Sequence, residues 1–149
     1  MKPIITWIVA ADGSHCRIFE HRGPGKGLAP VTTLDYERAR LRAQDIEADR
    51  PGRSFSSVGQ GRSAIEPHTD PVEHEEENFA RKIAALLESK WGEHAFTRLV
   101  IAADPTTLGN IRSLLSPALD GTILAELHKD LTNVPLPDMG KHFEDILPV

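Results

Sequence analysis

Residues 4–11, IITWIVAA, form an almost unbroken apolar run rich in β-branched side chains, and the turn signal Asp-Gly-Ser follows at once. A run of that length and type predicts a strand covered on both faces. Residues 15–20, HCRIFE, alternate loosely, so the two runs read as a β-hairpin. The turn HRGPGKG leads to a weaker strand at residues 28–34, where Pro30 predicts a sheet edge or a strand start. Residues 35–49, rich in Arg, Glu and Ala, read as a short helix.

The next clear pattern is helical. Phe79, Ile83, Leu86 and Leu87 fall on one face, with Ala80, Ala84 and Trp91 beside it, while Arg81, Lys82, Glu88 and Lys90 fall elsewhere. This predicts an amphipathic helix over residues 72–91, with an acidic start matched to the helix dipole and a stop at Gly92. Residues 97–103, TRLVIAA, predict a further strand. Asp104 and Pro105 then read as the N-cap and first residue of a helix whose buried face is Leu108, Ile111, Leu114 and Leu115. Residues 122–127 predict a last strand, and LPDMGKHFEDIL a short terminal helix. The order βββ(α)–loop–αβαβα predicts an α/β fold, a mixed β-sheet with helices packed on it.

At 149 residues this is the size of a single domain, spanning 1–149. The net charge of −5 argues against a nucleic-acid footprint over the whole surface. A lone cysteine, Cys16, excludes an internal disulfide and reads as a small buried hydrophobe. No stretch approaches the roughly 18 apolar residues of a membrane span. The first residues read as a strand rather than an export signal, so the expected location is cytoplasmic.

Between the two halves of the pattern, residues 50–72 read as a long flexible loop, a length that in a compact domain is normally functional or disordered. Arg50, Arg53 and Arg62 give residues 50–63 a local charge of +3 with no acid, and Gly59 and Gly61 flank Gln60. Such a segment can reach a polyanion: arginines neutralise phosphates and glycines let backbone approach closely. Residues 64–78 carry six acids and no Lys or Arg, which confines the basic patch to the loop.

Other constellations have simpler explanations. Asp12 and Asp104 both follow apolar strands, and a carboxylate pair there could hold Mg²⁺ for phosphodiester hydrolysis. Yet Asp12 is a natural turn residue and Asp104 a natural N-cap. His68, Asp70 and His74 match no standard zinc spacing, and helix initiation by Thr69 or Asp70 accounts for them. HRGPGKG lies between strands and lacks the Ser or Thr of a phosphate-binding loop. No metal and no cofactor are expected.

The segments WIVAADGSHCRIFE, GRSFSSVGQGRSAIEPHTDPVEHEEENFARKIAALLE, LVIAADPTTLGNIRSLLSPAL and AELHKDLTNVP together resemble the bacterial host-attachment protein family over nearly the whole chain. KDLT and EPHTDP are the more specific parts. Members of that family often carry Pro-Pro where this chain has Asp104 and Pro105, which weakens a catalytic reading of Asp104. The family is in turn similar to the middle domain of archaeal and eukaryotic class-one peptide release factors, close to the ribonuclease-H-like layout. There a Gly-Gly-Gln loop precedes a long helix. Here Val58-Gly59-Gln60-Gly61 lies at the corresponding place, and the resemblance implies a catalytic role for Gln60 on a peptidyl ester. Val58 stands where the first glycine would be, and a stiff β-branched residue there weighs against direct peptide release. The resemblance therefore implies a non-enzymatic module whose loop is directed at the ribosome or RNA. The alternative is a hydrolase acting on peptidyl-tRNA or RNA through Gln60 or a carboxylate pair.

Overall fold

The computed structural model describes residues 3–41 and 71–149. Five strands form one sheet: β1 (Thr6–Ala11), β2 (His15–His21), β3 (Ala29–Asp35), β4 (Arg98–Ala103) and β5 (Ile123–Leu127). Their order across the sheet is β3-β2-β1-β4-β5. The hairpin half, β1 with β2 and β2 with β3, is antiparallel. The half built through crossovers, β1 with β4 and β4 with β5, is parallel. The sheet is therefore mixed, as the strand pattern predicts.

Helices cover one face: α1 (Pro71–Gly92), α2 (Pro105–Leu114) and the short α3 (Pro117–Asp120). Trp7, Val9 and Ala11 of β1 pack there with Phe79, Ile83 and Leu87 of α1 and with Leu108 and Ile111 of α2. Ile8 and Ala10 point to the opposite face. They meet Leu131, Met139, Phe143 and Leu147 from the C-terminal segment, which includes α4 (Leu136–Met139) and a 3₁₀ turn at Gly140–Phe143. Two covered faces explain why β1 and β4 are apolar almost without interruption. The terminal helix expected from the sequence is thus an α-turn that tightens into 3₁₀. β3 is the sheet edge and exposed along nearly all its length, and Pro30 sits in it without a ladder donor to lose.

Two helix ends differ from expectation. Leu114 is exposed, because α2 closes there and the extended backbone of Leu115 returns the next side chain to the core. Gly92 is the last helical residue of α1, not its stop. The chain turns at His94, which adopts φ 63°. Ala95 N–H donates to Lys90 O at 3.0 Å and His94 N–H to Trp91 O at 2.9 Å. These two bonds are the Schellman pattern, with His94 in the left-handed position that glycine usually fills. Of the helix expected over 35–49, residues 37–41 are helical, Asp35 instead ends β3 and Tyr36 is irregular, and residues 42–49 lie outside the described residues.

Candidate functional site

β1 is the switch point of the sheet: its hairpin partner lies on one side and its crossover partner on the other. Ligands of open α/β sheets commonly bind at the carboxyl ends of the strands at such a point. Ala11 pairs with Ala103, so Asp12 and Asp104 emerge side by side from neighbouring parallel strands. The structure brings the two together, and each is engaged locally. Asp12 Oδ1 accepts from the backbone N–H groups of Ser14 at 2.8 Å and His15 at 2.7 Å, closing the β1–β2 turn. Asp104 Oδ2 accepts from Thr107 N–H at 3.1 Å and caps α2. His15 Nδ1 lies 3.0 Å from the Ser14 hydroxyl and 3.3 Å from Asp12 Oδ1. Ser14 and Asp12 thus crowd one ring nitrogen, and Asp35 lies 3.9 Å from the other, Nε2, beyond hydrogen-bond reach, so no aligned nucleophilic relay is formed.

The KDLT segment completes this end of the sheet. The Thr132 hydroxyl lies 2.6 Å from Asp130 Oδ1 and 3.3 Å from Asp12 Oδ2, and its single proton serves the nearer oxygen. Arg17 holds the segment down. Its Nη1 donates to the carbonyls of Leu131, Thr132 and Val134 at 3.4, 3.1 and 2.5 Å, and its guanidinium lies 4.9 Å above the Phe19 ring. Beside Asp12, the backbone of Gly13 runs against α1: a Cβ there would fall 2.2 Å from the Glu76 carboxylate oxygen. Among the described residues, no group of three or more His, Cys, Asp or Glu is placed to hold a metal ion.

Next to this end stands a clasp that the sequence reading missed. Glu75, within the acidic start of α1, is buried. Its Oε1 accepts from the Tyr36 hydroxyl at 3.1 Å and from Asn78 Nδ2 at 3.2 Å, and Oε2 lies 3.3 Å from Arg38 Nε. Tyr36 also stacks on Phe79, with ring centroids 5.7 Å apart, and Lys82 Nζ lies 5.5 Å from the Tyr36 ring. Hydrogen bonds from Asn78 and Tyr36, with the nearby Arg38 charge, hold the Glu75 carboxyl below its ordinary value despite desolvation. Burial raises the Tyr36 phenol, and the Glu75 hydrogen bond and charge add to the rise. The signal was available: Glu75, Phe79 and Ile83 are spaced i, i+4, i+8 and share the buried face.

The clasp joins the last residues before position 42 to the first residues after position 70. The residues singled out between them, Arg50, Arg53, Gly59, Gln60, Gly61 and Arg62, lie outside the described residues. So do His68, Thr69 and Asp70. Cys16 is buried, which pushes its thiol up to about 12 with a smaller contribution from Asp12, so the reactive thiolate is suppressed. Among the described residues no helix is long and apolar enough to cross a membrane.

A family model described as "Protein required for attachment to host cells" matches residues 7–143. The chain belongs to this family. The match begins in β1 and ends in the 3₁₀ turn after α4, so the sheet, the clasp and the KDLT segment all fall within the host-attachment unit. A search of curated proteins returns no match.

Proposed function

We propose that this host-attachment protein is a non-enzymatic binding module of the cytoplasm, which presents Arg50, Arg53, Gly59, Gln60, Gly61 and Arg62 to the ribosome or another RNA. The observation that carries this reading is the Glu75 clasp. It ties the two flanks of the basic segment together through Tyr36, Arg38 and Asn78. A segment whose two ends share one base pays less entropy when it engages a partner. The neighbouring carboxylates favour binding over hydrolysis. Asp12 closes a turn and Asp104 caps a helix, roles that need no metal. The likeness of Val58-Gly59-Gln60-Gly61 to the release-factor loop supports the choice of partner. The attachment phenotype then follows indirectly, through what the module does to protein synthesis.

The test is co-sedimentation of the full chain with ribosomes at two salt concentrations. Wild type should pellet in a salt-sensitive manner. Arg53→Ala with Arg62→Ala should weaken binding and flatten the slope of log K against log salt by roughly 1.4–1.8, the loss of two phosphate contacts. Gln60→Ala should leave that slope in place. Binding unchanged by the arginine pair would sink the proposal, and release of peptide from peptidyl-tRNA by wild type but not Gln60→Ala would replace it with the hydrolase reading.

A further inference from the structure

At the opposite, amino-terminal end of the parallel strands lies a cavity of about 590 Å³. Pro3, Ile5, Trp91 and Phe96 give it apolar walls, and His94, Thr97 and Thr122 add polar positions. This is the usual volume and composition of a small-molecule site. Two of the polar side chains are already occupied. The Thr97 hydroxyl donates to Ile5 O and accepts from Ile5 N–H, and the Thr122 hydroxyl donates to Leu119 O. The other two polar handles are not. Neither the Trp91 indole N–H nor the His94 imidazole has a hydrogen-bond partner among the described residues.

His94 is also the residue in the left-handed conformation, at φ 63°. Histidine adopts that region more readily than most residues, but glycine does so without steric cost. Strain of this kind gathers at ligand clamps, where a side chain is kept at some cost to the fold. Here the strained backbone closes α1 and places the exposed His94 at the rim of the cavity.

We infer that this cavity is a binding site for a planar, uncharged heteroaromatic molecule carrying a hydrogen-bond acceptor, with Trp91 and His94 as its polar contacts. Among the described residues, the lining contains no Asp, Glu, Lys or Arg. A charged ligand would therefore meet no counter-charge from these residues, and its apolar contacts would gain nothing from the charge. The half-buried Trp91 supplies the aromatic surface for an aromatic guest, backed by Phe96, whose ring is stacked on Trp7. The indole N–H is a donor only, so it calls for an acceptor on that guest.

The test uses the full chain and ligand-observed NMR titrations with three bicyclic probes: quinoline, which is neutral and has an acceptor; naphthalene, which is neutral and has none; and 2-naphthoate, which is anionic. Quinoline should bind saturably and roughly fivefold more tightly than naphthalene, the worth of one hydrogen bond. Naphthoate should bind more weakly than quinoline. Trp91→Phe should erase the quinoline advantage and leave naphthalene unchanged. His94→Gly should raise the melting temperature yet weaken quinoline roughly fivefold, a split that a purely structural His94 does not produce. No saturable quinoline binding at millimolar concentration, naphthoate binding as tightly as quinoline, or unchanged affinity in His94→Gly would each overturn the inference.

Discussion

The two ends of the central sheet are built on opposite principles. At the carboxyl end of β1 and β4 the side chains are polar, and the structure uses them up: Asp12 closes a turn, Asp104 caps a helix, Asp130 holds Thr132 and Arg17 gathers three carbonyls. At the amino end the walls are mostly apolar, and Trp91 and His94 have no side-chain hydrogen-bond partner among the described residues. A rule that looks for function where the polar residues are densest picks the carboxyl end. A rule that looks for polar groups the fold does not already use picks the amino end. Half-buried polar groups are normally satisfied internally, so the Trp91 indole N–H is the more informative of the two, while His94 is exposed to solvent.

If the carboxyl end is structural, damage there should appear as lost stability. The largest loss should follow Arg17→Ala, which strands the carbonyls of Leu131, Thr132 and Val134 and removes the stacking on Phe19. Hydrogen bonds to a charged donor make this about 2–3 kcal/mol by urea denaturation. Arg17→Lys should recover part of it, since an ammonium keeps the charged donor for the carbonyls but loses the planar stacking on Phe19. An unchanged midpoint in Arg17→Ala would show that KDLT is held by its own turn. Next comes Asp12→Ala, at roughly 1–2 kcal/mol for two lost backbone bonds, with Asp12→Asn milder because Oδ1 keeps its two donors. Millimolar Mg²⁺ or Mn²⁺ should leave the wild-type melting temperature where it is, whereas a rise would restore the carboxylate pair as a metal site.

The clasp gives the same comparison a pH axis. Glu75 sits below its ordinary value of 4.5, so its contribution is complete above that pH and fades as pH falls through the lower folded value. Tyr36 sits above 10.0, so its contribution is complete below that pH and is lost as pH rises further. Wild type should therefore lose stability at both extremes. Glu75→Gln should lower the melting temperature by a few degrees at neutral pH and flatten both limbs. If Glu75→Gln keeps the acid limb intact, other carboxylates carry it.

What the sequence disclosed follows the same divide. The strands β1 and β4 were legible because residues covered on both faces must be apolar, and Asp104-Pro105 because a cap is a local device. Pro30 marked the edge for the same local reason. Glu75 was hidden among the acids of EHEEEN, where only helical phase separates the inward residue from its solvated neighbours. Arg17 was hidden because its partners lie more than 110 residues along the chain. Gly92 misled because glycine is the commonest left-handed stop, and the chain places that turn two residues later, on a histidine. Neither end's use of its polar groups was visible, since satisfaction is a property of three-dimensional neighbours.

The smallest effect expected is the one that separates the two ends most sharply. Left-handed backbone costs a non-glycine residue roughly 1 kcal/mol. Glycine at position 94 would remove that strain, but it would also loosen the unfolded chain, which takes back part of the gain. The net for His94→Gly should be a stabilisation of about 0.5 kcal/mol, read as a higher urea midpoint at unchanged slope. Every substitution proposed at the carboxyl end lowers stability; this one raises it. A residue that the fold would be better without has to be explained by something other than the fold, and the cavity it lines is what stands beside it. Should His94→Gly prove destabilising instead, the imidazole is contributing packing at the end of α1, and the amino end becomes as structural as the carboxyl end.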